Sequence, residues 1–166
     1  MKYKLAIAWL YPDLMSTYGD RGNVIVLQKR CEWRNINAEI VPITLETPIS
    51  KLESSDLIFM GGAQDRQQKL AGADFLKRKG PVVKKMVENG TPALFVCAAY
   101  QFVGHYYKPY QGAKIPGAGI FDLITEHHLW KNEKQHHNTM HCWGAYVLDD
   151  RSNTVKTFLA NTTMLA

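Results

Sequence analysis

The sequence has little cysteine, and this scarcity constrains where the protein works. Its 166 residues include only Cys31, Cys97 and Cys142. An odd number without compact spacing argues against a disulfide framework and favours a reducing compartment. The apolar run near the amino terminus is short and ends at Pro12 and Asp13, so a buried first strand explains it better than a signal peptide. No segment is long enough to span a bilayer, and we expect a cytoplasmic protein without membrane insertion.

Clustered charge is also missing. The net charge is +5, but the basic residues are scattered along the chain. A nucleic-acid interface would gather them on one face with aromatic residues between them, so a solvated basic surface is the better interpretation and we expect no nucleic-acid partner. An anionic substrate or partner stays open. The length and the 46% hydrophobic content are typical of one globular domain.

What the sequence does contain is an alternation of apolar runs and amphipathic segments. The runs predict four strands, over residues 3–11, 38–44, 55–62 and 92–97. Helices are predicted over 23–35, 74–90 and 98–107, with Asn23 as an N-cap, a break at Gly80–Pro81 and Gly90 at a C-cap. A hairpin over 144–163 would turn at Asp150–Asn153. The pattern indicates parallel crossovers and a layered α/β fold.

Three predicted loops follow the carboxyl ends of these strands. They are the loop after the first strand, the loop that begins at Gly61 and Gly62, and the turn at Cys97. In open α/β sheets ligands bind beyond the carboxyl ends of the strands. The sequence therefore predicts that these three loops share one site.

Cys97 lies where a strand turns into a helix, in the stretch TPALFVCAAYQFVG. A thiol at such a turn projects from the sheet edge, and the helix N-terminus favours its thiolate. The backbone N–H that follows can face a developing oxyanion, and Gly61–Gly62–Ala63 could supply a second donor. The turn is crowded, which explains the small side chains of Ala98 and Ala99. The alternative is an inert cysteine that fills space at a strand end.

Three stretches together carry a family resemblance: LYPDLMSTYGDRGNVIVLQKRCEWRNI, LIFMGGAQDRQQKL and VCAAYQFVGHYYKPYQGAKIPGAGIFDLITE. In content, order and spacing they resemble the class I glutamine amidotransferases of the cobyric-acid-synthase type. The closer likeness is to the GatD-type subunits of lipid II isoglutaminyl synthases. It covers most of residues 8 to 126.

The resemblance implies a flavodoxin-like α/β fold and hydrolysis of L-glutamine through a cysteine thioester, with no cofactor bound by this subunit. Cys97 matches the family nucleophile, and Gly62 and the amide of Ala98 match the oxyanion-hole region, next to Gly61. Gln101 falls in the matching helix and would help to shape the pocket. Ammonia would pass to a Mur-ligase-like partner subunit of the MurT type. That partner uses ATP to amidate the D-glutamate of the peptidoglycan stem peptide.

The sequence departs from the family pattern at three places. The nucleophile motif reads Cys97-Ala98-Ala99-Tyr100 where the family has Cys-Gly-Gly-Tyr, and the added methyl groups would crowd the turn. A substrate-binding arginine of the family should fall near Lys131, which is a poor substitute for a bidentate guanidinium. The family's histidine motif, Asn-His-Gly-Gly, does not occur. We therefore divide the chain into an amidotransferase-like domain, residues 1–126, and a segment, residues 127–166, that is either a frameshifted or truncated end or a divergent tail.

Other histidines are weak replacements for the missing one. His105 should lie two turns along the helix from Cys97, where a surface role is the better interpretation. His137, His141 and Cys142 could bind a metal, but their spacing is not a zinc signature, and we expect no metal. Three functions stay open: a glutaminase subunit for cell-wall amidation, a cobyric-acid-synthase-type domain, and an inactive relative without the triad histidine.

Overall fold

A parallel four-stranded sheet forms the centre of the described structure. The computed structural model describes residues 3–17, 19–109, 111–130, 140–148 and 154–161, with backbone only at 65, 127–130, 140–148 and 154–161. The strands are β1 (Tyr3–Leu10), β2 (Ile36–Ile43), β3 (Leu57–Met60) and β4 (Ala93–Phe95). They lie in the order β2-β1-β3-β4, and every neighbouring pair is parallel. The predicted α/β fold with parallel strands is confirmed.

Helices cover both faces of this sheet. They are α1 (Asp20–Glu32), α2 (Ile49–Glu53), α3 (Asp65–Asp74), α4 (Gly80–Glu88) and α5 (Ala98–Val103), with a π-helical turn over Phe75–Lys79. Ile7 of β1 packs with Val24 of α1, whereas its neighbour Ala8 packs in the larger cluster with Phe75. Consecutive strand residues point to opposite faces, so α1 lies on one side of the sheet and α3 with its π-helical extension on the other.

Several element boundaries differ from the prediction. Helix α1 begins at Asp20, after Gly19 at φ 82°, so Asn23 lies inside the helix and its prediction as N-cap is wrong. Helix α3 starts at Asp65, where the sequence had suggested a loop, and α2 was not predicted. The predicted break at Gly80–Pro81 coincides with the end of the π-helical turn. Gly90, at φ 91°, follows α4 as predicted.

A second sheet follows α5. Its strands are β5 (Tyr106–Lys108), β6 (Ile115–Pro116), β7 (Leu123–Trp130), β8 (Met140–Leu148) and β9 (Thr154–Asn161), in the order β6-β5-β7-β8-β9. Only the β5–β7 pair is parallel. Strands β8 and β9 form the predicted hairpin, whose turn lies outside the described residues.

The end of α5 was predicted too far along the chain. The helix stops at Val103 because Gly104 is extended and the N–H of His105 donates to the carbonyl of Leu123 at 2.8 Å. Residues 106–108 are strand instead of helix. Tertiary pairing with the second sheet thus overrides the local helical pattern. Within the described ranges, no helix is long and apolar enough to cross a membrane.

Candidate active site

Cys97 occupies a strained turn between β4 and α5. Its backbone, at φ 57° and ψ −123°, lies in a region that non-glycine residues rarely adopt, at a cost of about 1–3 kcal/mol. Three backbone hydrogen bonds hold the turn. Val96 N–H donates to the carbonyl of Met60 at 3.0 Å, Ala99 N–H to that of Val96 at 3.2 Å, and Tyr100 N–H to that of Cys97 at 3.0 Å. The residue is exposed at the carboxyl edge of the sheet. This geometry places a thiol where a substrate can reach it.

The two alanines after Cys97 do not crowd this turn. Ala98 and Ala99 are the first residues of α5, and both are buried in the main apolar cluster beside Phe102. Cys97 alone of these three residues has a positive φ. The expectation that the methyl groups would crowd the turn is therefore wrong, because they face the core and fill it.

The surroundings of the Cys97 thiol oppose the thiolate. Partial burial raises the pKa of Cys97, and the negative charge of Asp20 raises it further. A hydrogen bond from the Ala98 backbone N–H lowers the pKa but does not compensate. The sequence predicted a thiolate favoured by the helix N-terminus, and the net direction is the opposite. Formation of a thiolate at Cys97 would therefore require a proton acceptor or a compensating positive charge.

The glycine loop after β3 lies next to a buried carboxylate. A Cβ at Gly61 would lie 2.6 Å from the Cβ and 2.7 Å from the Oδ1 of Asp20, so only glycine fits there. The N–H of Thr17 donates to the carbonyl of Gly62 at 3.2 Å. Both glycines are buried. The loop after β1 therefore contacts the glycine loop and holds it in place. The sequence predicted that the glycine loop lies near Cys97 but did not show which residues hold it there.

Asp20 is the residue of the candidate site that the sequence reasoning missed. It is the first residue of α1 and only 2% exposed, yet its charge reaches Cys97. The stretch GDRGN carried part of the family likeness, but no chemistry was assigned to it. The signal available in the sequence was an acidic residue between two glycines, Gly19 and Gly22, in the loop predicted to follow the first strand at the sheet edge.

Of the other predicted site residues, the structure describes the side chains of some and leaves others undescribed. Gln101 is buried on α5, one turn after Cys97, and accepts a hydrogen bond from the side-chain amide of Gln68 on α3. His105 is exposed and pairs with Asp122 at 2.7 Å, in agreement with a surface role. Lys131 lies outside the described residues, and the side chains of the tail histidines and Cys142 are likewise not described.

The structure is thus an α/β protein in which a parallel sheet presents a strained cysteine turn and a glycine loop at its carboxyl edge, the arrangement typical of a nucleophile turn. The chain belongs to the family of CobB/CobQ-like glutamine amidotransferase domains, whose model matches residues 6–158. It is 38% identical over 124 residues to the GatD subunit of the glutamine-hydrolysing lipid II isoglutaminyl synthase of Staphylococcus aureus, covering 75% of this chain and 50% of the relative.

A second relative supports the same family assignment. The GatD subunit of the lipid II isoglutaminyl synthase of Streptococcus pneumoniae is 33% identical over 123 residues, covering 74% of this chain and 46% of its own length. The chain thus spans about half the length of the curated relatives it matches.

Proposed function

We propose that this chain is the glutamine-hydrolysing part of a lipid II isoglutaminyl synthase. The observation that carries the proposal is the strained Cys97 turn beside the loop of Gly61 and Gly62, in a chain related to two GatD subunits. A cobyric-acid-synthase-type role is the alternative within the same family.

The chemistry begins at the thiol. The Cys97 sulfur loses its proton and attacks the side-chain carboxamide carbon of L-glutamine, forming a tetrahedral oxyanion. The C–N bond then breaks as the nitrogen takes up a proton, ammonia leaves, and a γ-glutamyl thioester remains. Water cleaves the thioester to give glutamate and the free thiol. Cys97 thus splits one difficult hydrolysis into two easier steps.

Backbone amides would stabilise the oxyanion. The N–H of Ala98 bonds the resting thiol, and it becomes available to the substrate oxygen as the sulfur forms its new bond. The glycine loop would supply the second donor at Gly62. Gln101 would shape the pocket from α5, and Lys131 would take the place of the family's substrate-binding arginine. One missing oxyanion donor typically costs 10²–10³ in kcat.

The proton acceptor is not assigned to a described residue. His105 is the one histidine whose side chain lies in the described part of the chain, and its ring faces Asp122. Loss of one member of a catalytic triad commonly costs several orders of magnitude in rate. An inactive relative is therefore a distinct outcome of the test below.

We further propose that the ammonia serves a Mur-ligase-like partner of the MurT type, which amidates D-glutamate in the lipid II stem peptide. The reaction would take place in the cytoplasm. Cys31 and Cys97 are free thiols, which agrees with a reducing compartment.

Covalent labelling tests the nucleophile directly. The chain is incubated with a glutamine-mimicking diazoketone, and its intact mass is recorded for the wild type, Cys97→Ser and Cys31→Ser. We expect one adduct in the wild type and in Cys31→Ser, and none in Cys97→Ser. An adduct without ammonia release from L-glutamine would identify an assembled pocket that lacks its base. No adduct in a folded chain would contradict the glutaminase proposal.

A further inference from the structure

Gln68 joins the two helices that follow the glycine loop and the Cys97 turn. It lies in the first turn of α3, and its side-chain amide donates to the Oε1 of Gln101 on α5. The backbone N–H of Gln68 donates at 2.9 Å to the carbonyl of Gln64, the residue that precedes α3. One side chain thus connects the helix behind the glycine loop with the helix behind the thiol.

Apolar contacts hold the same side of α3 against α5. Gln68, Gly72 and Phe75 follow one another at helical spacing, four and three residues apart. A Cβ at Gly72 would lie 3.0 Å from the ring of Phe102, and the Phe75 and Phe102 rings stack with their centroids 6.0 Å apart. Because these contacts hold the two helices together, removal of the hydrogen bond to Gln101 alone should leave their packing intact.

Gln101 lies beside the Cys97 turn. It follows Cys97 by four residues, about one helical turn, and a helical side chain covers the turn that precedes its own Cα. The residue is only 8% exposed. The hydrogen bonds of this largely buried amide therefore decide which of its two ends faces the space next to the thiol.

The bond from Gln68 fixes the orientation of the Gln101 amide. Its acceptor oxygen and its donor nitrogen lie on opposite sides of the amide carbon, so an Oε1 turned to α3 directs Nε2 away from α3. No described residue accepts a hydrogen bond from this nitrogen. It is also open to solvent, because the sealed side-chain polar atoms without a partner in the described part of the chain are Trp9 Nε1 and Thr125 Oγ1. Gln101 therefore presents an accessible amide donor beside Cys97.

We propose that Gln68 is a positioning residue of the glutaminase site. It holds the carboxamide of Gln101 with the NH2 group toward Cys97, where this group donates to an oxygen of bound L-glutamine. The inference rests on the proposed function, since it concerns binding of the same substrate, and it gives Gln68 no contact with that substrate.

Two substitutions separate the orientation of the amide from the presence of the hydrogen bond. Gln68→Met keeps a similar length and removes the bond. In Gln68→Glu the carboxylate is only an acceptor, so it bonds Gln101 by drawing Nε2 toward α3, which turns Oε1 to the substrate. A bond that only joined the helices would survive this change. A bond that orients the amide would be reversed, and the substrate oxygen would face another acceptor.

Labelling kinetics with the glutamine-mimicking diazoketone measure the effect. Intact-mass time courses at several reagent concentrations give the maximal rate, kinact, and the concentration for half of that rate, KI. We expect Gln68→Met to raise KI about fivefold and Gln68→Glu to raise it further, with kinact changed less than about twofold, because substrate binding is altered and the thiol is not. The matched control is Gln67→Met, since this adjacent, half-buried glutamine of α3 forms no hydrogen bond with Gln101 and should keep the wild-type KI.

A double-mutant cycle shows whether Gln68 acts through Gln101. In the Gln101→Met chain, Gln68→Met should raise KI no further, because the amide that it orients is gone. A further increase as large as in the wild type would overturn the proposal. A wild-type KI in Gln68→Glu would also overturn it, since the bond would then only join the helices. Circular dichroism checks each chain, and loss of the fold in Gln68→Met would likewise assign a purely structural role to the bond.

Wild-type labelling separates this proposal from the proposed function. Absence of an adduct at Cys97 in the folded wild type would contradict both. An adduct at Cys97 in the wild type together with an unchanged KI in Gln68→Met would overturn the role of Gln68 alone and leave the glutaminase proposal intact.

Discussion

Asp20 and Cys97 are electrostatically coupled, because the negative charge of the buried Asp20 carboxylate raises the pKa of the Cys97 thiol. Burial is the larger cause of the raised pKa of Cys97, and replacing the carboxylate by an amide in Asp20→Asn removes the second cause, the negative charge. The pKa of Cys97 should fall, and more thiolate should be present at any pH below it. We expect alkylation of Cys97 by iodoacetamide to be several-fold faster at neutral pH, measured by peptide mass spectrometry over a pH series.

The control for this effect is Asp122→Asn, which removes a carboxylate that pairs with His105 instead. Cys31 in the same chain serves as an internal reference for changes in reagent or pH. An alkylation profile of Cys97 that is identical in Asp20→Asn and in the wild type would show that the charge of Asp20 does not reach the thiol.

Gly61 is the second position at which the geometry of the candidate site depends on a single residue. In Gly61→Ala the new methyl group would overlap the Asp20 side chain, which must move, and the brace between the two loops should be lost. We expect diazoketone labelling of Cys97 to fall at least tenfold. The matched variant is Gly22→Ala in α1, where a Cβ has open space. It should keep full labelling and gain about 0.5–1 kcal/mol in stability from higher helix propensity.

At the scale of elements, a buried ionic cluster ties the end of β1 to the π-helical turn. Asp74 accepts hydrogen bonds from the fully buried ammonium of Lys79, from the hydroxyl of Tyr11 at 2.8 Å and from Arg78 at 3.1 Å. Lys79 also lies over the Tyr11 ring, 5.1 Å from its centroid. Tyr11 has a φ of 51°, so the cluster holds a strained residue directly after β1.

Lys79→Met should destabilise the fold because it leaves the Asp74 carboxylate without its main counter-charge. Removing one partner of a buried ion pair costs about 3–5 kcal/mol, and we expect about 3 kcal/mol by chemical denaturation at pH 7. The matched control is Lys77→Met in the same turn, where the side chain is exposed. A loss below about 1 kcal/mol in Lys79→Met would show that the pair adds little to stability.

The same cluster predicts the direction of acid sensitivity. Burial raises the pKa of Asp74, but hydrogen bonds from Lys79 and Tyr11 and the charges of Lys79 and Arg78 outweigh it and lower the pKa below 3.8. The folded state therefore binds this proton less well than the unfolded state, so the stabilisation is present above pH 3.8 and is lost as the pH falls through the lowered pKa. Denaturation midpoints from pH 6 to pH 2 should fall more steeply for the wild type than for Asp74→Asn. Parallel curves would contradict this.

The helices and strands also show which parts of the fold could be predicted from the sequence. The strands β1 and β3 were predictable because both faces of a central parallel strand are buried and the apolar run is continuous. The Cys97 turn was predictable because an apolar strand run ends at Cys97 and a helical segment follows it. The start of α3 was not predictable, because residues 64–70 have the composition of a polar loop. The predicted α5 was too long because Gly104 is extended and His105 bonds Leu123 of the second sheet. The position of Asp20 depends on packing against Gly61, which lies 41 residues further along the chain, so no local sequence pattern contains it.

At the scale of the whole molecule, glycines allow the chain of the second sheet to pack against the end of α5. A Cβ at Gly104 would lie 2.6 Å from the carbonyl oxygen of Leu123 in β7, and one at Gly117 would lie 2.9 Å from the carbonyl carbon of Gly104. Hydrogen bonds of 2.7–2.8 Å accompany this contact, from Ala118 N–H to the carbonyl of Phe102 and from Gly117 N–H to that of His105. The chain after α5 thus packs directly on the helix that carries Cys97.

Gly117→Ala should loosen this junction without disrupting the parallel sheet. The added methyl group meets backbone atoms, which cannot move aside as a flexible side chain could, so residues 104–126 must separate from α5. Hydrogen–deuterium exchange should become at least tenfold faster in peptides from residues 104–126, while peptides from β1 and β3 keep their protection. Gly22→Ala is again the control, with unchanged exchange in both regions. Uniformly faster exchange through all strands in Gly117→Ala would show instead that the two sheets unfold as one cooperative unit, and that the second sheet is part of the core on which the Cys97 turn depends.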